Sequence, residues 1–163
     1  MGAAGAGKSR IGGALADALQ VRFIEGDAFH PPENIALMAA GTPLTDADRH
    51  GWLQALACEL HVARDASQGV VLACSALKQR YRDLLRLGDD SVRFIFLSTN
   101  AEVLRDRLAA RSGHFMPPSL IDSQLEALEP PATHERAWTL DASDPPESIV
   151  AEVLQRLQQD GAT

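Results

Sequence analysis

The chain begins Met1-Gly2-Ala3-Ala4-Gly5-Ala6-Gly7-Lys8-Ser9, and residues 2–9 follow the pattern Gly-x-x-x-x-Gly-Lys-Ser. Glycine at these positions lets a loop point its backbone N–H groups inward around an anion, because left-handed torsions are accessible and no Cβ atom intrudes. Lys8 provides an ammonium group for the β- and γ-phosphates of a nucleotide, and the Ser9 hydroxyl is a ligand for Mg²⁺. We therefore predict that residues 2–9 form a phosphate-binding loop, called the P-loop below.

A helix is predicted directly after the P-loop, from Lys8 to about Gln20, because the apolar residues Ile11, Leu15 and Leu19 recur every four positions. The N-terminal end of its dipole would face the same anion. The alternative is an Ala/Gly-rich tail that matches the pattern by chance, and the helical pattern that follows at once disfavours it.

A P-loop ordinarily follows a buried parallel strand, but only Met1 precedes Gly2 in this chain. Losing about five buried apolar residues, at about 1.5–3 kcal/mol each, would cost about 10 kcal/mol, which is comparable with the stability of a whole domain. Either the natural start lies upstream, or the chain is a damaged copy. We favour the first explanation because the rest of the pattern is intact.

Composition indicates one globular domain over residues 1–163, with 45% apolar residues to form its core. With no run of 18 apolar residues and no signal-peptide pattern, we expect a soluble cytoplasmic protein without a membrane partner. The net charge of −7 argues against nucleic acid as a partner. Cys58 and Cys74 both lie in apolar periodic segments, which predicts reduced core cysteines.

Four short apolar runs, at residues 21–24, 70–74, 92–97 and 137–140, predict strands, and helical patterns separate them. Strands that alternate with helices behind a P-loop predict a parallel α/β sheet. The run 70–74 is unbroken, which is typical of a strand buried on both faces. Thr45 and Asp48 predict a capping box at the start of a long helix, and Asn100 predicts the cap of another.

Asp27 is the candidate catalytic base, because it follows the first predicted strand at the sheet edge where α/β folds bind ligands. Capping of the next turn is its alternative role. His30 is a weaker candidate for a substrate ligand, since a lone His beside Phe29 is as often a packed ring as a ligand.

Three basic residues are further candidates for binding an anionic substrate. Arg49 lies in the first turn of a helix, where the dipole disfavours a cation, so we expect it to have an anionic partner, either substrate or a nearby Asp. Lys78 is one of only two lysines in the chain. Because Lys78, Arg82 and Arg86 are four residues apart, they share a helix face that suits anion binding, with a solvated charged face as the alternative.

Residues 112–130 are predicted to form a small mobile lid, because an arginine-bearing helix is followed by a Gly-containing break and a short helical pattern. Arg107 and Arg111 at the start of this region are candidates for stacking on adenine or for stabilising phosphate charge. A plain helical hairpin on the surface is the alternative.

Five stretches together closely resemble bacterial gluconate kinases. They are the P-loop, Glu-Gly-Asp-x-x-His-Pro-x-x-Asn-Ile at 25–35, Gly-x-Pro-Leu-Thr-Asp-x-Asp-Arg-x-x-Trp-Leu at 41–53, Cys-Ser-Ala-Leu-Lys-x-x-Tyr-Arg-Asp-Leu-Leu-Arg at 74–86, and Arg-x-Gly-His-Phe at 111–115. The resemblance implies the three-layer P-loop kinase fold, with a parallel sheet, helices on both faces and a helical lid. In that topology the absent first strand would be central and would leave a gap in the sheet.

The resemblance also implies an activity, which is phosphorylation of D-gluconate to 6-phospho-D-gluconate by Mg·ATP, commonly in a homodimer. Lys8 and Asp27 would be catalytic, Ser9 would contact the metal, and some of His30, Arg49, Lys78 and Arg82 would bind gluconate. Two rivals remain open, namely another small-molecule kinase of this fold, such as a shikimate-like kinase, and a non-catalytic nucleotide-binding paralogue.

Overall fold

The fold is described from a computed structural model, which describes residues 1–110 and 120–161. Its strands are β1 (Arg22–Glu25), β2 (Val70–Ala73), β3 (Phe94–Ser98) and β4 (Ala137–Asp141). Its helices are α1 (Lys8–Leu19), α2 (Pro32–Ala39), α3 (Asp46–Asp65), α4 (Gln79–Arg86), α5 (Ala101–Ala109), α6 (Leu120–Ala127) and α7 (Pro146–Gln159), and a 3₁₀ turn spans Gly26–Phe29. In the described ranges, no helix is both long and apolar enough to cross a membrane.

The strands form two parallel pairs. β1 pairs with β2 from Arg22–Val70 to Glu25–Ala73, and β3 pairs with β4 from Phe94–Ala137 to Ser98–Asp141. This arrangement confirms the predicted parallel α/β fold.

Helices cover both faces of these pairs, because successive side chains of a strand point to opposite faces. On β3, Leu97 joins a core cluster with Ile11 of α1 and Ile149 of α7. Phe94, three residues earlier, joins a second cluster with Leu56 of α3 and Leu85 of α4. The sheet therefore lies between a layer that contains α1 and α7 and a layer that contains α3 and α4.

The predicted gap in the sheet is present between β2 and β3. An apolar cavity of about 390 Å³ separates them, lined by Val71 and Leu72 of β2, by Ile95 of β3 and by Leu15 of α1. Val70, Val71 and Leu72 are only partly buried as a result. The expectation that this strand is buried on both faces is therefore wrong, because one edge and part of each face meet the cavity.

The P-loop begins at the end of this cavity. The Met1 amino group donates to Ile95 O at 2.5 Å, and Leu97 N donates to Met1 O at 3.0 Å, which is the bonding pattern of one residue in a parallel ladder. On the other side, Gly2 N donates to Ser75 O at 3.1 Å, just beyond β2. These bonds fasten the P-loop to both strand pairs.

The helix caps agree with the sequence. Asp48 N donates to Thr45 Oγ1 at 3.2 Å and Thr45 N donates to Asp48 Oδ2 at 2.7 Å, so the capping box of α3 is confirmed. Asn100 Oδ1 accepts from Val103 N at 2.8 Å at the start of α5. Both cysteines are free thiols, as predicted, but only Cys74 is buried; Cys58 is exposed on α3.

A buried ion pair connects α4 to the segment before β4. Arg82 Nε and Nη2 donate to the two carboxylate oxygens of Glu135 at 2.6 and 2.9 Å. Arg82 Nη1 also donates to three backbone carbonyls, those of Ala76, Leu77 and Glu129. The Arg82 side chain is 0% exposed and that of Glu135 is 1% exposed. The predicted substrate role of Arg82 is therefore wrong, because its donors are used inside the protein.

Arg86 belongs to the same arrangement. Its Nη1 lies 3.7 Å from Glu135 Oε2 and donates to Asp83 Oδ1 at 3.2 Å. Arg82 and Arg86 of the predicted anion-binding stripe thus do bind an anion, but the anion is the carboxylate of Glu135. The bonds from Arg82 hold the pKa of Glu135 at about 2, below its ordinary value of 4.5.

We expect Arg82→Met to lower the free energy of unfolding by about 3–5 kcal/mol, because it leaves the Glu135 carboxylate buried without its partner. Most of this loss should return in the double variant Arg82→Met/Glu135→Leu, which removes both charges of the buried pair. Denaturant unfolding measures both. A loss below about 1 kcal/mol in the single variant would show that water or other residues solvate Glu135.

The pH dependence provides the control. Because the folded-state pKa of Glu135 is depressed, its contribution is present above about pH 4.5 and is lost as the pH falls towards 2. The double variant should therefore lose less unfolding free energy over this interval than the unmodified chain.

Candidate active site

The P-loop has the backbone conformation that its glycines predict. Gly5 and Gly7 adopt φ values of +83° and +88°, in the left-handed region, and Gly7 is the N-cap residue of α1. A Cβ atom on Gly5 would lie 3.1 Å from Leu104 O of α5, so a larger residue there would be strained and crowded. The loop therefore forms a cradle of backbone groups at the start of a helix, which is a suitable site for phosphate.

A cavity of about 420 Å³ opens above this cradle. P-loop residues line one end of it, and charged, polar and apolar side chains from the surrounding helices and loops line the rest. The lining residues are Ala4, Gly5, Gly7, Lys8, Ser9, Arg10, Asp27, His30, Met38, Leu44, Arg49, Trp52, Ser75, Arg107 and Gln124.

Lys8 and Ser9 lie at the P-loop end of the cavity. Lys8 Nζ donates to Ala3 O at 3.1 Å, so the ammonium group folds back over the loop. Ser9 is exposed at the beginning of α1. These positions match the roles predicted for a phosphate-binding lysine and a hydroxyl ligand of Mg²⁺.

Gln124 of α6 also holds the P-loop, a role that no motif in the sequence predicts. Its Oε1 accepts from Ala4 N at 2.8 Å, and the residue is 7% exposed. A polar residue on the buried face of a short amphipathic helix was the available signal, because such a side chain requires a partner.

Asp27 lies on the 3₁₀ turn that follows β1 and faces the cavity. In the ranges 1–110 and 120–161 its carboxylate makes no side-chain hydrogen bond, and neither the 3₁₀ turn nor α2 has a side-chain cap. The alternative role of Asp27 as a helix cap is therefore not supported. Its position leaves the carboxylate facing the cavity.

His30 is both packed and cavity-lining. Its ring stacks on Trp52 with centroids 4.1 Å apart and an interplanar angle of 17°, and Trp52 Nε1 donates to Gly26 O at 2.7 Å. The alternative of a packed ring is thus supported, with Trp52 as the neighbour. Burial lowers the pKa of His30 to about 4, although the charge of Asp27 acts in the opposite direction. His30 is therefore a neutral imidazole at physiological pH.

Arg49 and Lys78, both predicted to bind substrate, differ in position. Arg49 lines the cavity, and its Nη1 donates to Tyr81 OH at 3.3 Å. Within the described chain it has no carboxylate partner, so the alternative of a nearby Asp is not supported. Lys78 does not line the cavity, and its ammonium group is paired with Asp46 Oδ1 at 2.9 Å. Direct substrate binding by Lys78 is therefore not supported.

Arg107 lies beside the P-loop on α5. Its Nη2 donates to Ala142 O at 2.8 Å, and its Nη1 lies 3.5 Å from Gly5 O. Arg111 and residues 112–119 of the predicted lid lie outside the described residues. The described part of that region includes α6. Arg105 Nη2 of α5 donates to Asp122 Oδ1 of α6 at 2.6 Å.

The P-loop end of the cavity suits Mg²⁺ that is bound together with a nucleotide. The described residues contain no group of three or more His, Cys, Asp or Glu side chains that could hold a metal alone. Mg²⁺ with a nucleotide commonly takes one or two protein oxygens and completes its coordination with phosphates and water. Ser9 and the P-loop cradle fit that arrangement.

The fold and the site together define a P-loop kinase of small molecules. A family model described as shikimate kinase matches residues 4–158. A gluconokinase of Gluconobacter oxydans (strain 621H) is 42% identical over 158 residues, which cover 97% of this chain and 89% of that protein.

Two solved structures extend the comparison. A gluconokinase from Sinorhizobium meliloti 1021 has a TM-score of 0.87 at 46% identity, covering 98% of this chain and 89% of its own. An unliganded sugar kinase from Janibacter sp. HTCC2649 has a TM-score of 0.93 at 46% identity, covering 97% of this chain and 91% of its own. The chain belongs to the gluconokinase family of shikimate-kinase-like enzymes, which confirms the resemblance.

The neutral state of His30 can be measured by NMR. We expect its imidazole to titrate near pH 4 rather than near its ordinary 6.5. Because the folded chain then binds fewer protons than the unfolded chain between these values, His30 should lower the unfolding free energy as the pH falls from about 6.5 to 4. His30→Gln identifies the resonance and should remove this contribution. A midpoint close to 6.5 would show that the ring is solvated.

Proposed function

We propose that this chain transfers the γ-phosphoryl group of ATP to D-gluconate and forms 6-phospho-D-gluconate. The observation that carries the proposal is one cavity of about 420 Å³ in which the P-loop, Asp27 and the unpaired guanidinium of Arg49 all face the same space. This cavity offers a phosphate cradle, a candidate base and a cation for a carboxylate. The gluconokinase relatives support the same substrate.

The nucleotide is bound by the P-loop end of the cavity. The backbone N–H groups of residues 5–9 and the Lys8 ammonium surround the β- and γ-phosphates, and the Ser9 hydroxyl holds the metal. Mg²⁺, when bound, neutralises charge that develops on the phosphate oxygens. Arg107 contacts the P-loop carbonyl of Gly5 and is placed to stabilise charge on the nucleotide.

The acceptor is bound beside Asp27. The C6 hydroxyl oxygen of gluconate forms a bond to the γ-phosphorus as the bond from that phosphorus to the β,γ-bridging oxygen of ATP breaks. Asp27 orients the hydroxyl and accepts its proton. Arg49 binds the gluconate carboxylate, and the neutral imidazole of His30 exchanges a hydrogen bond with a sugar hydroxyl.

Three further expectations complete the proposal. Arg111 and the segment around residues 112–130 would close over bound nucleotide and exclude water. Assembly as a homodimer and a cytoplasmic location also stay predictions.

The first test is acceptor-dependent ADP production from Mg·ATP. D-gluconate, shikimate and nucleoside monophosphates are offered separately to the same preparation. We expect turnover with gluconate only. Turnover with shikimate or a nucleotide instead would replace the substrate, and nucleotide binding without turnover on any acceptor would support a non-catalytic protein.

The second test is Asp27→Asn. We expect kcat with gluconate to fall by about a hundredfold or more, because general base catalysis typically contributes 10²–10⁴. Nucleotide affinity should stay unchanged, because the P-loop is intact. Asp17→Asn, which makes the same change at an exposed position of α1, is the matched control. Near-normal turnover of Asp27→Asn would exclude Asp27 as the base.

A further inference from the structure

Tyr81 is a buried residue of α4 that connects the active cavity to a cluster of charges behind it. The residue is 4% exposed, and the Arg49 Cζ lies 5.8 Å from the centroid of its ring. Arg49 itself lines the cavity. The Tyr81 hydroxyl therefore links the cavity-lining guanidinium of Arg49 to the charged residues behind it.

The hydroxyl takes part in two hydrogen bonds of fixed direction. Tyr81 OH donates its proton to Asp46 Oδ1 and accepts from Arg49 Nη1 at 3.3 Å. A phenol has one proton, so the bond to Asp46 leaves only lone pairs to face Arg49. Because a carboxylate is an acceptor only, this polarity cannot reverse while Asp46 is ionised.

Asp46 is held in place by further cations. Lys78 Nζ donates to its Oδ1 at 2.9 Å, and Arg80 donates to its Oδ2. The bonds from Tyr81 and Lys78 hold the pKa of Asp46 at about 2. Asp46 is thus an anion throughout the working pH range. Arg49 donates to Tyr81 and Tyr81 donates to Asp46, while Lys78 donates to the same carboxylate from its other side.

These hydrogen bonds account for two features of the site. The Tyr81 hydroxyl lies between the Arg49 guanidinium and the Asp46 carboxylate and forms a hydrogen bond with each. It therefore keeps these two groups from forming a direct ion pair. The bond to Tyr81 also restrains the long Arg49 side chain before substrate binds. Less conformational freedom is therefore lost when substrate binds. Arg49 keeps its charge for a ligand, and its guanidinium is oriented before the ligand arrives.

We propose that Tyr81 is a positioning residue that acts through Arg49, orienting its guanidinium towards the carboxylate of the acceptor, and that Asp46 and Lys78 fix the Tyr81 hydroxyl for this task. The proposal rests on the proposed function, in which Arg49 binds that carboxylate. It gives Lys78 an indirect role in substrate recognition in place of the direct contact that the sequence suggested.

The test is a double-mutant cycle between Tyr81→Phe and Arg49→Ala. Tyr81→Phe keeps the buried ring and removes only the hydroxyl. We expect it to raise the KM for D-gluconate about tenfold, since a hydrogen bond to a charged group is lost, and to leave kcat and the KM for ATP within about twofold. In the Arg49→Ala background the same change should have no further effect on gluconate.

Asp46→Asn is the second variant. The Asn amide can donate as well as accept, so it no longer fixes the direction of its hydrogen bond with Tyr81 OH. It should raise the KM for gluconate and leave the KM for ATP unchanged. Asp17→Asn is its matched control, since it makes the same change at an exposed position of α1. Calorimetric titration of the same variants with gluconate supplies a readout that does not require turnover.

Effects of Tyr81→Phe and Arg49→Ala that multiply independently would overturn the positioning role, as would equal losses for gluconate and ATP. If the proposed function is wrong, the unmodified chain will turn over another acceptor in place of gluconate, which the acceptor assay shows separately. The same cycle with that acceptor then still decides whether Tyr81 acts through Arg49.

Discussion

Three backbone hydrogen bonds of Met1 and Gly2 hold the phosphate loop between the two halves of the sheet. Met1 bonds to Ile95 and Leu97 of β3, and Gly2 donates to Ser75 beyond β2. The loop therefore has its position fixed from both sides. The distance between bound phosphate and acceptor consequently depends on how both strand pairs pack, and the loop sequence alone does not determine it.

Local features of the fold could be predicted from the sequence, and long-range partners could not. The caps at Thr45 and Asn100 depend on residues three positions away, and both are confirmed. The spacing of Arg82 correctly predicted an anion-binding helix face, but its anion is Glu135, 53 residues further along the chain. A helical pattern identifies which side chains share a face, whereas the partner of that face is set by tertiary packing. For the same reason Gln124, which bonds to the P-loop across 120 residues, was not found.

Charge in the active cavity is a local property. The chain has a net charge of −7, yet Lys8, Arg49 and Arg107 all line one cavity. Other cations are neutralised within the protein, as Lys78 is by Asp46. Some cations are therefore paired with carboxylates inside the protein, and others face the cavity. The cavity is a positive region in an acidic protein, and it favours polyanionic ligands.

The cavity between β2 and β3 has a geometry that one extended segment would complete. In the described chain these strands do not pair, so each presents a backbone edge to the same apolar space. An unpaired strand edge is a template for another extended chain. A single extended segment in this space would meet both edges at once and bury its side chains among Val71, Leu72 and Ile95. Such a segment would join the two strand pairs into one sheet, a continuity that the bonds of Met1 and Gly2 provide at one end only.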